Sequence, residues 1–290
     1  MTDQRTAILL FLASIGFITV VDTSAKYLTA DLHAFEIVWG YFLGIVTPLV
    51  IYALAIGAPR RGLLYTGRPV LQIARSGLLV LSIATLFVGL TYLPIAEATA
   101  ISFMSPLFIV ALSGPMLGER VGIHRWVAVV IGLLGVLVIV RPGGGLAHWA
   151  VSMPLIGAVA FAAYQLSTRV LAATDTVFAT LFYTGVGGFF WTCLLVPFFW
   201  TMPSPGQWIA FLAIGSLGVA AHLCLIKAFE LAQASLLAPF NYTKLVWAAL
   251  AGYLVFGDVP SLNTLAGCAL IIASGLYVIL RERPAPKVTR

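Results

Sequence analysis

The chain has 290 residues, of which 61% are hydrophobic and only 9% are charged, and its mean hydropathy is +1.05. Soluble globular proteins carry about 25% charged residues, so this composition excludes a water-soluble globular protein. The formal net charge of +6 does not indicate a nucleic-acid partner, because the basic residues are scattered between apolar segments.

Ten apolar segments follow one another along the chain, each about 20 residues long, the length that an α-helix needs to cross a bilayer. They cover residues 6–27, 35–56, 70–91, 95–116, 122–140, 151–170, 176–199, 207–227, 234–256 and 262–280. The segments are continuously apolar, whereas the strands of a membrane β-barrel alternate. The connections between them are too short for an extramembrane domain. The sequence therefore predicts an all-α membrane protein with ten transmembrane helices.

Lys and Arg are distributed unevenly between the two sides that these ten helices define. Most of them fall on the side of the N-terminus, and the opposite side has only Lys26 and Arg141. Positive residues concentrate on the cytoplasmic side of a membrane. Both termini are therefore expected in the cytoplasm.

The fourth and ninth segments resemble each other. A shift of 139 positions places the Gly-Glu at 118–119 on the Gly-Asp at 257–258, and Phe103 on Tyr242. The glycine-rich connection at 141–145 leaves five segments on each side. An odd number of spans makes two equivalent halves insert in opposite senses, which is how many secondary carriers are built.

We therefore expect two inverted five-helix repeats, residues 1–141 and 142–290. Each repeat carries a similar series of small and polar residues, which are Ala98, Pro106, Gly118, Glu119, Gly132 and Gly135 in the first and Ala234, Tyr242, Gly257, Asp258, Gly267 and Gly275 in the second.

This series resembles the drug/metabolite transporter superfamily, and within it the ten-helix EamA-type carriers, over almost the whole chain. Arg75-Ser76, residues 117–120 and residues 242–247 are similar to bacterial carriers proposed for riboflavin, S-adenosylmethionine or amino acids. The second repeat departs from the common pattern at Leu245 and Asp258, where Pro and Glu are usual. The resemblance implies a multi-pass protein of the bacterial inner membrane. Its expected partners are a small-molecule substrate and membrane lipids, with a homodimer left open and no nucleic acid or cofactor.

Lys244 is the first candidate for a substrate-binding residue, because a charge inside a membrane span costs about 3 kcal/mol on insertion scales and needs a reason. It lies near the middle of the ninth segment, beside Asn241 and Tyr242. It could contact an anionic group of the solute, or it could pair with a carboxylate for structural reasons.

Asp22 is the second candidate, with two alternatives left open. It lies one helical turn before Lys26, so the two can form an ion pair near the membrane surface. Asp22 can instead be the counter-charge of Lys244, or a proton site.

The other ionisable residues of the spans have simpler explanations. Glu36 and Glu97 open helices, where an acidic side chain is favoured by the helix dipole, although Glu97 is kept as a candidate ligand. His222 is a candidate as a hydrogen-bonded or proton-carrying residue. Arg75 and Lys227 are expected to anchor helix ends at the cytoplasmic interface.

Aromatic and amide side chains beside polar neighbours could line a cavity and stack on a ring-bearing solute, although ordinary helix packing explains each of them as well. The candidates are Trp39, Tyr164, Gln165, Tyr183 and Tyr242. Aromatic residues nearer the span ends belong to the interfacial belt, among them Tyr92, Trp126, Trp149, Trp200 and Trp208.

Three functional classes compete. A secondary carrier for a small organic metabolite (an amino acid, a vitamin or a nucleoside-like solute) fits the repeats and the central polar residues, and a multidrug or toxic-metabolite exporter is its variant. A membrane enzyme acting on a lipid would need a cluster of catalytic groups, but the four histidines are dispersed. A channel or receptor is the third class. The chain has no phosphate-binding loop and no metal-ligand spacing at its three cysteines, so we expect a carrier that is not an enzyme.

Overall fold

The computed structural model describes residues 2–56, 64–117, 123–140, 149–171, 174–231, 240 and 242–281. Within these ranges the chain is helical and has no β-strand. The helices are α1 (Thr2–Leu28), α2 (Ala34–Ala55), α3 (Pro69–Tyr92), α4 (Ile95–Ser102), α5 (Ser105–Leu117), α6 (Ile123–Val140), α7 (Ser152–Leu171), α8 (Val177–Leu195), α9 (Pro205–Leu231), α10 (Thr243–Ala251) and α11 (Leu262–Arg281). A π-helical turn, Gly252–Phe256, continues α10.

Seven stretches of the described residues are long and apolar enough to cross a membrane. They are Gln4–Leu28, Ala34–Ala55, Pro69–Tyr92, Ile95–Ser113, Trp149–Thr168, Phe178–Phe198 and Pro205–Leu225. Shorter apolar helices lie at Val129–Ile139, Thr243–Phe256 and Leu262–Ser274, where the other three spans are predicted. The all-helical, multi-pass class is confirmed, and the number of ten spans stays a prediction.

The fourth apolar segment, predicted as one helix over 95–116, is in fact two helices in line. α4 ends at Ser102 and α5 begins at Ser105. Pro106 explains the interruption, because proline has no N–H to donate and its ring clashes with the carbonyl of the residue four positions earlier, which is Ser102. Phe103 lies at the break, and its N–H donates to the carbonyl of Thr99 at 3.1 Å. The chain therefore continues in one direction across the break.

The helices pack in a few extensive pairs. α1 packs along α9, and α3 packs along α7. α2 contacts both α8 and α9, while α3 also contacts α8. α6 and α11 pack on each other, and α10 packs on α1 and α4. Large side chains such as Phe42 of α2, Phe87 of α3 and Phe211 of α9 are fully buried between the helices.

Glycines set the closest approach of two of these pairs. A Cβ atom on Gly215 of α9 would lie 2.3 Å from the Cα of Gly44 in α2. One turn away, a Cβ on Gly40 would lie 2.2 Å from the ring of Phe211. α6 and α11 approach in the same way, since a Cβ on Gly267 would lie 2.6 Å from the carbonyl oxygen of Gly135. The small residues at 40 and 44 thus mark a helix contact, because small residues four positions apart let membrane helices approach closely.

The Gly44–Gly215 contact generates a test of the packing. We expect Gly215→Ala to destabilise the protein by about 1–3 kcal/mol, because the added methyl group meets backbone atoms that cannot move independently. Gly16→Ala is the matched control, since a Cβ on Gly16 in α1 has nothing within 4 Å. The measurement is the loss of monodisperse protein on heating in detergent. Equal thermal midpoints for the two variants would contradict the close helix contact.

Candidate functional site

Two ion pairs join α1 to α10 and to the turn that follows α10. The Lys244 Nζ lies 3.0 Å from the Asp22 Oδ2, and we name these two residues the central pair. The Lys26 Nζ lies 2.8 Å from the Asp258 Oδ2, and we name these the helix-end pair. Of the two alternatives for Asp22, the structure shows the ion pair with Lys244 and not the one with Lys26.

The central pair is the more buried of the two. The Asp22 side chain is 8% exposed and that of Lys244 is 22% exposed. Removing one partner of a buried pair leaves an uncompensated charge, at a cost of about 3–5 kcal/mol. The two charges of the central pair are therefore acceptable in the bundle because each neutralises the other.

The helix-end pair explains the Gly-Asp motif at 257–258. Gly257 adopts the left-handed conformation, with φ of 72°, which glycine tolerates without steric cost. This ends the π-helical turn, and the Asp258 N–H donates to the carbonyl of Gly252 at 3.1 Å. Lys26 also lies 4.8 Å from the centre of the Phe256 ring. From the sequence alone, a solvent-exposed place in a turn explains the charge of Asp258. The structure shows instead that Asp258 is a partner of α1.

Two aromatic rings meet where the break between α4 and α5 approaches the start of α10. Phe103, at the break between α4 and α5, stacks on Tyr242 with a centroid separation of 5.6 Å and an interplanar angle of 28°. Tyr242 precedes Lys244 by two residues and is partly exposed. These are the residues that the 139-residue shift places on each other. The two related segments therefore touch at equivalent positions.

Tyr41 and Tyr164 extend the polar region from Asp22 towards α7. Tyr41 of α2 is buried, and its hydroxyl lies within electrostatic range of Asp22 and Tyr164. The Tyr164 ring of α7 lies 5.0 Å from the guanidinium carbon of Arg75. Tyr164 thus lies between the surroundings of the central pair and a second charged group.

Arg75 is not the interfacial anchor that its place near the start of α3 suggests, because its side chain is only 1% exposed. It donates hydrogen bonds to Thr168 Oγ1 at 2.9 Å, to the Thr180 carbonyl at 2.8 Å and to Gln72 Oε1 at 3.1 Å. It also donates to the hydroxyl of Thr184. All four acceptors are uncharged. Sequence position indicates depth along a helix but not which face the residue occupies, and Arg75 faces α7 and α8.

Gln72 connects this arginine to a carboxylate in the loop between α7 and α8. Its Nε2 donates to Asp175 Oδ2 at 2.8 Å, and Thr174 Oγ1 donates to Oδ1 at 2.9 Å. Thr66 donates to the same carboxylate. Partial burial alone would raise the pKa of Asp175, but the hydrogen bonds from Thr66, Gln72 and Thr174 outweigh it and hold the pKa below its ordinary value.

The two glutamates lie in the first turns of α2 and α4, as the sequence predicts. Both are buried, and each accepts a hydrogen bond from a distant threonine. Thr201 Oγ1 donates to Glu36 Oε2 at 2.8 Å, and Thr264 Oγ1 donates to Glu97 Oε1 at 3.0 Å. Beyond favouring the helix start, these carboxylates therefore fasten α2 and α4 to the second half of the chain.

The remaining candidates are not brought together with the central pair. Trp39 packs on Trp200 and Trp208, with centroids 5.3 and 5.9 Å away, and its indole N–H donates to Cys193 Sγ at 3.3 Å. It thus belongs to a cluster with two tryptophans of the predicted belt. Gln165 is exposed on α7, and Tyr183 and His222 are partly buried in α8 and α9. Asn241 lies outside the described residues.

Comparison with known proteins gives consistent relationships. The sequence profile of the EamA-like transporter family matches residues 5–141 and 148–281. An S-adenosylmethionine uptake transporter of Rickettsia felis is 29% identical over 278 residues, covering 95% of this chain and 92% of that protein. A riboflavin transporter of Rhizobium johnstonii is 30% identical over 285 residues, covering 95% and 91%. The pseudopaline exporter CntI of Pseudomonas aeruginosa is 28% identical over 276 residues, covering 92% and 93%.

A solved crystal structure of a protein shares the fold, with a TM-score of 0.64 and 21% identity. It covers 95% of this chain and 97% of the other.

The lowered pKa of Asp175 predicts a pH-dependent contribution to stability. A carboxylate whose pKa is lower in the folded than in the unfolded state stabilises the fold above its unfolded pKa, about 3.9. This stabilisation is lost as the pH falls through the folded value. We therefore expect Asp175→Asn to lower the thermal midpoint at pH 7 and to have progressively less effect below about pH 4. Asp31→Asn, in the exposed connection after α1, is the control. A pH-independent loss would contradict a role for the ionised carboxylate.

Proposed function

The chain belongs to the EamA-like transporter family, and from this premise we propose that it is a secondary carrier of the bacterial inner membrane. It moves a small organic metabolite by alternating access, the mode of transport in which a central site opens to each side in turn. An amino acid, a vitamin or a nucleoside-like solute is the proposed class of substrate, and S-adenosylmethionine and riboflavin, the solutes named for two of the relatives, fall within it. The family and the names of the relatives point to a transporter and not to an enzyme.

The observation that carries the proposal is the central pair and its location. Intramembrane charges are by default candidates for the substrate path. Lys244 follows Tyr242 by two residues, and the ring of Tyr242 stacks on Phe103, where the interrupted fourth segment meets the start of α10. Carriers built from inverted repeats bind their solute at such a junction of broken helices. We therefore assign the substrate site to this junction, with Tyr41 and Tyr164 along its wall.

The helix packing supports the inverted repeat that this mechanism needs. A pseudo-twofold axis that superposes the first half of the chain on the second would exchange α1 with α7, α2 with α8, α3 with α9 and α6 with α11. It converts the α1–α9 pair into the α7–α3 pair, and the α2–α9 pair into the α8–α3 pair. All four pairs are packed together in the structure. The α6–α11 and α2–α8 pairs, which the exchange maps onto themselves, are packed as well.

An exporter of the same fold is the second candidate. The relative named as an exporter is 28% identical over 92% of this chain, and the relative named for uptake is 29% identical over 95%, so similarity favours neither direction. The two directions share one site and one mechanism. They differ in which side of the membrane supplies the solute.

The function is tested first through Lys244. Purified protein is screened by thermal shift against flavins, nucleosides, adenosylated sulfur compounds and amino acids. Transport of the solute that stabilises the protein is then measured in proteoliposomes. We expect Lys244→Met to insert and fold but to lose transport, because the site loses its cation. Lys244→Arg should retain part of the activity, since the charge remains while the hydrogen-bond geometry changes.

Lys227→Met is the control, because it removes an exposed lysine near the end of α9. Wild-type rates in the Lys244→Met variant would remove this residue from the site. The absence of any saturable solute, together with turnover of a lipid, would favour a membrane enzyme instead.

The inverted arrangement also predicts which connections share a side of the membrane. In a variant without its native cysteines, Gly67→Cys, before α3, should react with an impermeant maleimide only from the cytoplasm. Met202→Cys, at a residue that is 79% exposed before α9, should react only from outside. The expectation rests on the excess of Lys and Arg on the first side. Labelling of both positions from the same side would contradict the topology.

A further inference from the structure

The first half of α3 is fastened to α8. The indole N–H of Trp191 in α8 donates to the carbonyl of Ile73 at 3.0 Å. A Cβ atom on Gly187 of α8 would lie 2.3 Å from the hydroxyl oxygen of Ser76 in α3, so the two helices are in close contact there. Separating α3 from α8 would break these contacts together. The two helices are therefore expected to move as one unit, which we name the α3–α8 unit.

The contact of α7 with the α3–α8 unit differs between the two halves of α7. In the first half, a Cβ atom on Gly157 would lie 3.0 Å from the carbonyl oxygen of Ser82 in α3, so the backbones approach closely. In the second half, α7 is held by Arg75 of α3. The Arg75 Nη1 donates to Thr168 Oγ1 at 2.9 Å, and the guanidinium carbon lies 5.0 Å from the centre of the Tyr164 ring. Backbone packing thus holds one half of α7, and an arginine side chain holds the other.

Arg75 is bound in a way that lets water replace its contacts. Its four acceptors are uncharged, so its separation from Thr168 leaves no carboxylate without a cation. Its Nε is buried and has no hydrogen-bond acceptor in the described part of the chain. A buried donor without an acceptor is unfavourable, and water that enters between parting helices would satisfy it. This gain offsets part of the cost of opening.

Arg75 also lies in a column of polar groups that leads from one end of the bundle to the central pair. The column begins at Asp175, between α7 and α8, and Gln72 contacts this carboxylate at 2.8 Å and Arg75 at 3.1 Å. It continues through Tyr164 to Tyr41, which lies within electrostatic range of the central pair. The excess of Lys and Arg predicts that this end faces the cytoplasm. A solute that follows these polar groups between the cytoplasm and the central pair must pass Arg75.

From this arrangement we propose that Arg75 is the latch of a cytoplasmic gate. When its contacts with Thr168 and Tyr164 break, α7 turns away from the α3–α8 unit about the close contact at Gly157, and the polar column opens to the cytoplasm. α7 also packs on α4 and α5. Tyr164 and the break at Phe103 therefore lie on the same side of the opening. This inference deepens the proposed carrier function and rests on it.

The experiment measures access to the proposed substrate site from each side of the membrane. Tyr242→Cys, in the full chain without its native cysteines, places a thiol at that site. A membrane-impermeant methanethiosulfonate is added to right-side-out vesicles or to inside-out vesicles, and the rate of modification is measured for each side. The measurement does not require the solute to be known.

Two threonine variants give a matched comparison. Thr168→Val removes the acceptor on α7 at nearly constant size, and Thr184→Val makes the same change to an acceptor on α8. We expect Thr168→Val to raise the cytoplasmic rate about tenfold, because a hydrogen bond to a charged group is worth about this factor in an equilibrium. The rate from outside should not change. Thr184→Val should leave both rates near the wild-type values, because its bond lies within the α3–α8 unit.

Further variants separate the latch from a general loss of stability. Thr168→Ser keeps the hydroxyl and should restore the wild-type rates. Arg68→Gln removes an exposed arginine just before α3 and should have no effect on either rate. If Thr168→Val does not fold, Thr168→Ala removes the same acceptor and tests the same bond.

Three outcomes would overturn the inference. These are equal cytoplasmic rates for Thr168→Val and Thr184→Val, an increase of the same size from both sides, and no modification from either side in any variant. The carrier function is judged separately by transport in proteoliposomes. Transport by the wild type without a one-sided response of Thr168→Val would sustain the carrier and remove the latch. A one-sided response without transport of any solute would sustain the gate and remove the carrier.

Discussion

The requirement that charge inside an apolar helix bundle be neutralised or hydrogen-bonded within the bundle determines how distant parts of this chain meet. Lys244 of α10 is neutralised by Asp22 of α1, more than two hundred positions earlier in the sequence. Arg75 of α3 is held by neutral acceptors of α7 and α8, and Gln72 connects it to the carboxylate of Asp175. Because lipid offers such groups no hydrogen bonds, a partner must come from another helix. These contacts therefore select which helices can pack together.

The backbone is interrupted where these contacts are made. Pro106 separates α4 from α5, and Gly257 ends the turn that carries Asp258. Both interruptions lie next to polar or aromatic contacts, the stack of Phe103 on Tyr242 and the bond of Asp258 to Lys26. Away from these interruptions, helices approach closely through small residues such as Gly44 and Gly215. Close packing at the glycines is thus separated from the irregular backbone near the charges.

Hydropathy is enough to predict the membrane class and the positions of the long apolar helices, because these properties depend on local composition, whereas the family follows from the resemblance of the motifs in the two halves to known carriers. The sequence does not predict the break within the fourth segment, since Pro106 only permits an interruption and the surrounding helices decide whether it forms. It leaves the partner of Asp22 open for a similar reason. Lys26 and Lys244 are both within reach in principle, and the choice depends on how α1, α10 and the turn after α10 are placed. The sequence position of Arg75 gives its depth in the membrane and predicts an interfacial anchor, whereas the packing of α3 on α7 and α8 buries it. Sequence alone thus determined which residues are costly in a membrane, and only the tertiary structure decided which other residues neutralise them, because those partners come from helices far apart in the chain.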